Sequence, residues 1–144
     1  MKKIMLIVTG LFFSTLVFAQ DIAADKVPSV VVNTFKQVFP NASKVEWELK
    51  GDLYNADFNL GATDCEAWLD KKGSIVKQKK DIPAKNLPVV VSKSISDNFK
   101  GYRIDDVDWF EVDKQVFYRV ELKKQKLEKD VVLDKNGKIV NKIL

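Results

Sequence analysis

Histidine is absent from this 144-residue chain, and cysteine occurs once, as Cys65. Without imidazole there is no Ser-His-Asp or Cys-His nucleophilic arrangement, no imidazole general base and no His-containing zinc site. A lone thiol completes neither a thiolate cluster nor an internal disulfide, so the composition implies no metal and no cofactor. What is left is carboxylate chemistry, or binding without chemistry. Charge of one sign is also scarce: 24 Lys plus Arg stand against 20 Asp plus Glu, interleaved along the chain. That balance supplies no one-sided field of the kind nucleic acid binding needs.

One long apolar run is present. Lys2 and Lys3 precede Ile4 to Phe18, and the run closes on Val17-Phe18-Ala19 before Gln20. Met1 to Ala19 reads as a secretory signal peptide with small residues at the cleavage positions, whereas a spanning helix needs about 20 apolar residues and different flanks. Cys65 lies far from the cut, so lipid attachment there is not available. The mature product is expected to be free in the periplasm or secreted, with no membrane insertion after cleavage. Losing Lys2 and Lys3 brings it closer to neutrality than the full chain's +4. Its stability must come from an apolar core, in which Cys65 serves as a small buried residue.

Self-similarity organises the rest. Val27-Pro28 reappears as Leu87-Pro88, and at the same offset Val31 matches Val91, Phe35 matches Ile95 and Phe39 matches Phe99. The offset then lengthens twice: Val45 and Trp47 match Val107 and Trp109, and later Tyr54, Leu69-Asp70 and Gly73 match Tyr118, Leu133-Asp134 and Gly137. The expected organisation is a signal peptide over 1–19, a flexible N-terminus over 20–26, a first repeat over 27–79, a linker over 80–86 and a second repeat over 87–144.

Each repeat reads as a helix followed by four strands. Pro28 and Pro88 suit a first helical position, and Val31, Phe35, Val38 and Phe39, or Val91, Ile95 and Phe99, follow at spacings of three and four. In Lys44 to Lys50 the residues Val45, Trp47 and Leu49 alternate with charged ones. A Gly51-Asp52 turn pairs Leu49 with Tyr54, Trp47 with Ala56 and Val45 with Phe58. Asp70-Lys71-Lys72-Gly73 and Asp134-Lys135-Asn136-Gly137 read as hairpin loops, since no bidentate glutamate follows to make a calcium site. The fold class is α+β: a tandem repeat of helix plus four-stranded antiparallel sheet, helices on one face and the other sheet face open, with the two halves sharing one sheet or packing closely.

The string V-P-x-x-V-x-x-x-F-x-x-x-F-P-x-A-x-x-V-x-W from Val27 to Trp47, followed by Tyr54-x-Ala56-x-Phe58, Trp68-Leu69-Asp70-Lys71-Lys72-Gly73 and a second Asp-x-x-Gly loop, resembles the exported PepSY-like, or β-lactamase-inhibitor-like, proteins of Bacteroides-type bacteria. The resemblance covers Val27 to the C-terminus. The second copy departs from it at Lys100-Gly101 and at Asp108-Trp109. What it implies is the tandem fold and a non-catalytic binding or inhibitory role outside the cytoplasm.

The open face holds the candidate site. An Asp113-Lys114 turn places Phe110 opposite Phe117 and Asp108 opposite Arg119 on the outer side. Continuing through Lys124-Gln125 puts Phe117 opposite Val132 and Arg119 opposite Asp130. Phe110, Phe117, Val132 and Val140 then form an apolar row, with Arg119 between two carboxylates, a composition typical of protein-binding hot spots. The first repeat's outer face is polar, with Glu46, Glu48, Asn55, Asp57 and Glu66, and with Trp68 and Val76 as its apolar members. The leading expectation is a binding protein whose partner is another protein, an exported hydrolase among the options, contacted through Phe110, Phe117, Arg119, Val132 and Trp68. A homodimer through the same row and plain cross-strand stabilisation are the competing readings. The alternatives from other classes are an envelope small-ligand or stress-sensing module, and a carboxylate hydrolase using Glu46 and Asp57.

Overall fold

The computed structural model describes residues 19–140. The expected signal peptide lies outside them, except for Ala19. Among the described residues the chain forms two helices and one nine-stranded antiparallel sheet whose strands follow one another in chain order. The strands are β1 (Ala19–Ile22), β2 (Ser43–Lys50), β3 (Leu53–Leu60), β4 (Thr63–Leu69), β5 (Ile75–Asp81), β6 (Arg103–Val112), β7 (Gln115–Lys124), β8 (Leu127–Asp134) and β9 (Ile139–Val140). Helices α1 (Ser29–Val38) and α2 (Val89–Asn98) precede β2 and β6.

Both helices lie on the same side. Val31 and Phe35 of α1 are buried against Trp47, Ala56, Phe58, Cys65, Ala67 and Leu69, the inward set of β2 to β4. Val91 and Ile95 of α2 are buried with Val107, Tyr118, Val120, Leu122, Val131 and Leu133. Phe35 meets Trp47 and Phe58 edge-on at centroid distances of 5.2 and 4.9 Å, so α1 is anchored by aromatic contacts that α2 lacks.

Pro28 and Pro88 sit one position earlier than expected, at the N-caps, with ψ of 137° and 143°. Their carbonyls accept the first helical bonds from Val32 and Ser92. Each Asp-x-x-Gly loop closes as the sequence suggests. Asp70 Oδ1 accepts from the amides of Lys72 and Ser74 at 2.8 and 2.9 Å, and Asp134 Oδ1 accepts from Asn136 and Lys138 at 2.8 and 3.0 Å. These carboxylates are committed to the turn.

Of the two expected arrangements of the halves, a shared sheet is the one present, because β5 pairs with β6 and carries the ladder across the middle. Three local expectations are corrected. Residues 20–26 are not a flexible terminus: β1 pairs with β2, setting Ile22 opposite Trp47, and a 3-10 helix follows over Ala24–Lys26. The linker is shorter than 80–86, since Lys80 and Asp81 belong to β5. Val45 is not directly opposite Phe58, because a bulge between Ser43 and Glu46, with Lys44 at φ 52°, intervenes, and β6 has a matching irregularity between Ile104 and Asp106.

Candidate functional site

Strand alternation fixes what the uncovered side carries. Across β3 to β6, Asn55 pairs with Trp68, Trp68 with Lys77 and Lys77 with Val112. In the next row Glu46, Asp57, Glu66, Lys79, Phe110, Phe117 and Asp134 stand in consecutive strands. The first half of this face is therefore charged and the second half apolar at its centre.

The structure brings Phe110 and Phe117 together as direct cross-strand partners. With Val112 they form a third, small cluster on the open side, against which Val132 and Val140 pack. Phe110 and Phe117 are only 6% and 9% exposed, so the row is less available to a partner than the sequence suggests. Part of the cover comes from Lys77, whose Nζ lies 5.1 Å from the Phe110 ring and 4.7 Å from the Trp68 ring. Its aliphatic stem lies on apolar surface, and burial lowers its pKa. Trp68, Val132 and Val140 remain half-buried. They are the apolar groups of the candidate set that a partner can reach.

Arg119 lies opposite Asp108, as expected, but not opposite Asp130. The turn after β7 uses Gln125-Lys126, so Arg119 faces Val132 and Asp130 faces Glu121. A slip of two residues leaves every side chain on its own face, and alternation alone does not detect it. Arg119 thus has one carboxylate partner, with Nη2 at 2.8 Å from Asp108 Oδ2.

Asp108 was not singled out by its sequence context, yet it is the electrostatic centre of this face. Its side chain is 1% exposed, and Lys79 Nζ lies 3.3 Å from Oδ1. Neither oxygen receives a well-aligned hydrogen bond. Asp81 is its register partner across β5 and β6. Burial, and then the Asp81 carboxyl, raise the Asp108 pKa to about 6 against the pull of Lys79 and Arg119. For Lys79, burial works against the charged form, but Asp108 and Asp81 outweigh it and the pKa is raised. Asn55 is the other fully buried polar group: it accepts from Lys50 Nζ at 2.7 Å and donates to Glu66 Oε2 at 3.3 Å.

The tempting carboxylates do meet. Glu46 pairs with Asp57, and Asp57 with Glu66. A shallow hollow of about 360 Å³ is lined by Asp57, Asp64, Cys65, Glu66, Lys79 and Asp81. Partial burial and the neighbouring Glu66, Glu46 and Asp64 raise the Asp57 pKa. These carboxyls project side by side from one sheet surface, whereas glycoside hydrolysis needs two that flank the scissile bond. Hollows also border the apolar cluster, one of about 300 Å³ beside Phe117 and Val116.

Two helices against one side of a long antiparallel sheet, with an Asp-x-x-Gly loop in each half, can be set beside known proteins. The sequence matches the PepSY-like family, described as β-lactamase-inhibitor-like, over residues 17–59 and 52–141. The chain belongs to the PepSY-like family. Similar solved structures share the fold. A DUF2874 family protein of Bacteroides uniformis is 24% identical with a TM-score of 0.72, over 79% of this chain and 86% of that one. A BLIP-like protein of Bacteroides fragilis is 22% identical with a TM-score of 0.68, over 79% and 83%. A protein of Bacteroides eggerthii, described provisionally as periplasmic, is 18% identical with a TM-score of 0.72, over 80% and 86%. No curated protein matches the chain by sequence. Among the described residues no helix is long and apolar enough to cross a membrane.

Proposed function

We propose that this PepSY-like protein is an exported, non-catalytic module that recognises another protein through the open face of its sheet. The observation that carries the reading is a sheet side without a covering element among the described residues, on which an apolar cluster lies next to the ion pair of buried Asp108 with the partly exposed Arg119. A solvated sheet side is commonly polar, and an apolar cluster rimmed by polar groups is a feature of interaction sites. Export rests on the signal-like Met1 to Ala19, and the periplasmic description of one relative agrees with it. The BLIP-like description of the Bacteroides fragilis relative favours an exported hydrolase among partner classes. A duplication origin is supported by matched positions in matched elements, such as Val31 and Val91 in the helices and Gly73 and Gly137 in the loops.

The test uses residues a partner can reach. The mature chain and a Trp68→Ala, Val132→Ser double variant with unchanged circular dichroism are used to capture proteins from an envelope extract. A defined partner held by the native chain and lost by the variant supports the reading; identical captures from both refute it.

A further inference from the structure

Interleaved charges in the chain become segregated in the fold. Because acids occupy outward positions in successive strands, the open side gathers Glu46, Asp57, Glu66, Asp81, Asp108 and Glu121. The cations on that side are largely committed: Lys50 pairs with Glu48 at 2.8 Å and Glu66 at 3.7 Å, Lys79 with Asp108 at 3.3 Å, Asp81 at 3.6 Å and Glu66 at 3.8 Å, Arg119 with Asp108, and Lys123 with Asp105 at 2.7 Å and Glu121 at 2.9 Å. The opposite side carries more lysines. Lys36 is exposed on α1, Lys93 of α2 pairs with Asp97, and Lys80, Lys124 and Lys129 lie over the helix-side rings of Trp109, Tyr102 and Phe99. A chain of net charge +4 thus presents an acidic face to whatever meets its open sheet. Burial first, and then the neighbouring Glu66, Glu46 and Asp64, raise the Asp57 pKa, in keeping with that gathering of acids.

We propose that the open face takes a basic protein surface, whose Lys or Arg side chains enter the hollow that Asp57, Asp64, Glu66 and Asp81 line together with Lys79, while an apolar neighbour packs on Val132, Val140 and Trp68. The proposal rests on the reading of this face as a docking surface and adds the chemistry of the occupant. Two features argue for a polypeptide over a free polyamine or metal ion. The apolar cluster lies beside the acids, where a bare cation has no use for it, and the hollow of about 360 Å³ has room for a long basic side chain. Complementary charge of this kind sets encounter rate and partner choice more than raw affinity, and it is screened by salt.

The probe is a displayed random-peptide library selected on the mature chain. Recovered peptides are synthesised, and their affinities measured at low and high salt for the native chain, an Asp57→Asn, Glu66→Gln variant and a Val132→Ser variant. Peptides rich in Lys or Arg beside an aromatic or aliphatic residue are expected. Affinity should fall at least about tenfold in the carboxamide variant and with added salt, and should fall in Val132→Ser as well. Acidic or neutral peptides, or full affinity in the carboxamide variant, overturn the basic-partner inference; if Val132→Ser still weakens them, the docking face itself survives. Binding unaffected by any of the variants, or no recovered peptide, refutes the face along with the inference. Sedimentation of the chain alone provides the remaining arm: a salt-sensitive oligomer abolished by the carboxamide variant would assign the face to a second copy's basic helix side and overturn a foreign partner.

Discussion

At the scale of single residues, Asp108 has the most to say. A carboxyl whose folded pKa is about 6, above its ordinary 3.8, binds its proton more tightly in the folded than in the unfolded chain. Its contribution to stability is therefore fully present below about pH 4, is lost as pH rises towards 6, and is flat above that. The shift corresponds to roughly 2 to 3 kcal/mol. The Asp108→Asn variant should lose this slope, so the gap in denaturant midpoint between native chain and variant changes between pH 4 and 7 and is constant from 7 to 8. An unchanged gap across that range would mean that Lys79 and Arg119 hold Asp108 ionised throughout. The pairing of Asp108 with Arg119 was legible in the sequence, because a two-residue turn at Asp113-Lys114 dictates it. The burial of Asp108 was not legible, since it depends on Lys79 and Asp81 arriving from a strand in the other half.

Among the elements, the Asp-x-x-Gly loops were the most readable, and they do more than reverse the chain. Gly137 has φ +79°, and a Cβ there would lie 2.7 Å from the backbone oxygen of Val90, so the loop seats the first turn of α2. Gly73 makes the same approach to Val30 at 2.9 Å. Gly137→Ala should cost about 2 to 3 kcal/mol, combining a disfavoured φ with a clash against backbone that has little room to yield. Gly61→Ala, at φ +62° with open space around it, should cost only about 1 kcal/mol. Urea denaturation of the two variants checks the difference; equal losses would show that loop seating contributes nothing. The helices were legible from apolar spacing, with Phe35 and Ile95 buried as their pattern requires, but Val38, expected on the same face of α1, is exposed at the end of the helix. The β7–β8 register was not, because slips of two residues satisfy the same alternation and the choice belongs to the turn, where Gln125 adopts φ 55°.

For the molecule as a whole, the decisive pairing is β5 with β6. It makes one sheet of what the repeat pattern alone leaves as two units, and it lays Lys77 and Lys79 across from Val112 and Phe110. Two halves joined by a continuous ladder should unfold together. Tryptophan fluorescence and far-ultraviolet circular dichroism are expected to trace one denaturation curve, and Gln78→Pro, which removes an amide from β5 and obstructs the pairing with Glu111, should split it in two. A split already present in the native chain would mean that the seam contributes little. The same seam unites the acidic and apolar parts of the open face, so a variant that separates the halves should also lose any partner held by both.

The sequence alone settled which face of each strand turns inward, that a helix opens each half and that the Asp-x-x-Gly strings reverse the chain, because these depend on neighbours within a few positions. It was also sufficient for family membership, since those local patterns are the ones relatives share. Tertiary structure alone decided that β5 and β6 form the seam of the shared sheet, that Asp108 is buried, that Phe110 and Phe117 are mostly covered and that the acids collect on one side. Each of these depends on contacts between strands distant in the chain, where alternation specifies a face but neither the neighbouring strand nor the side chains that fold over it.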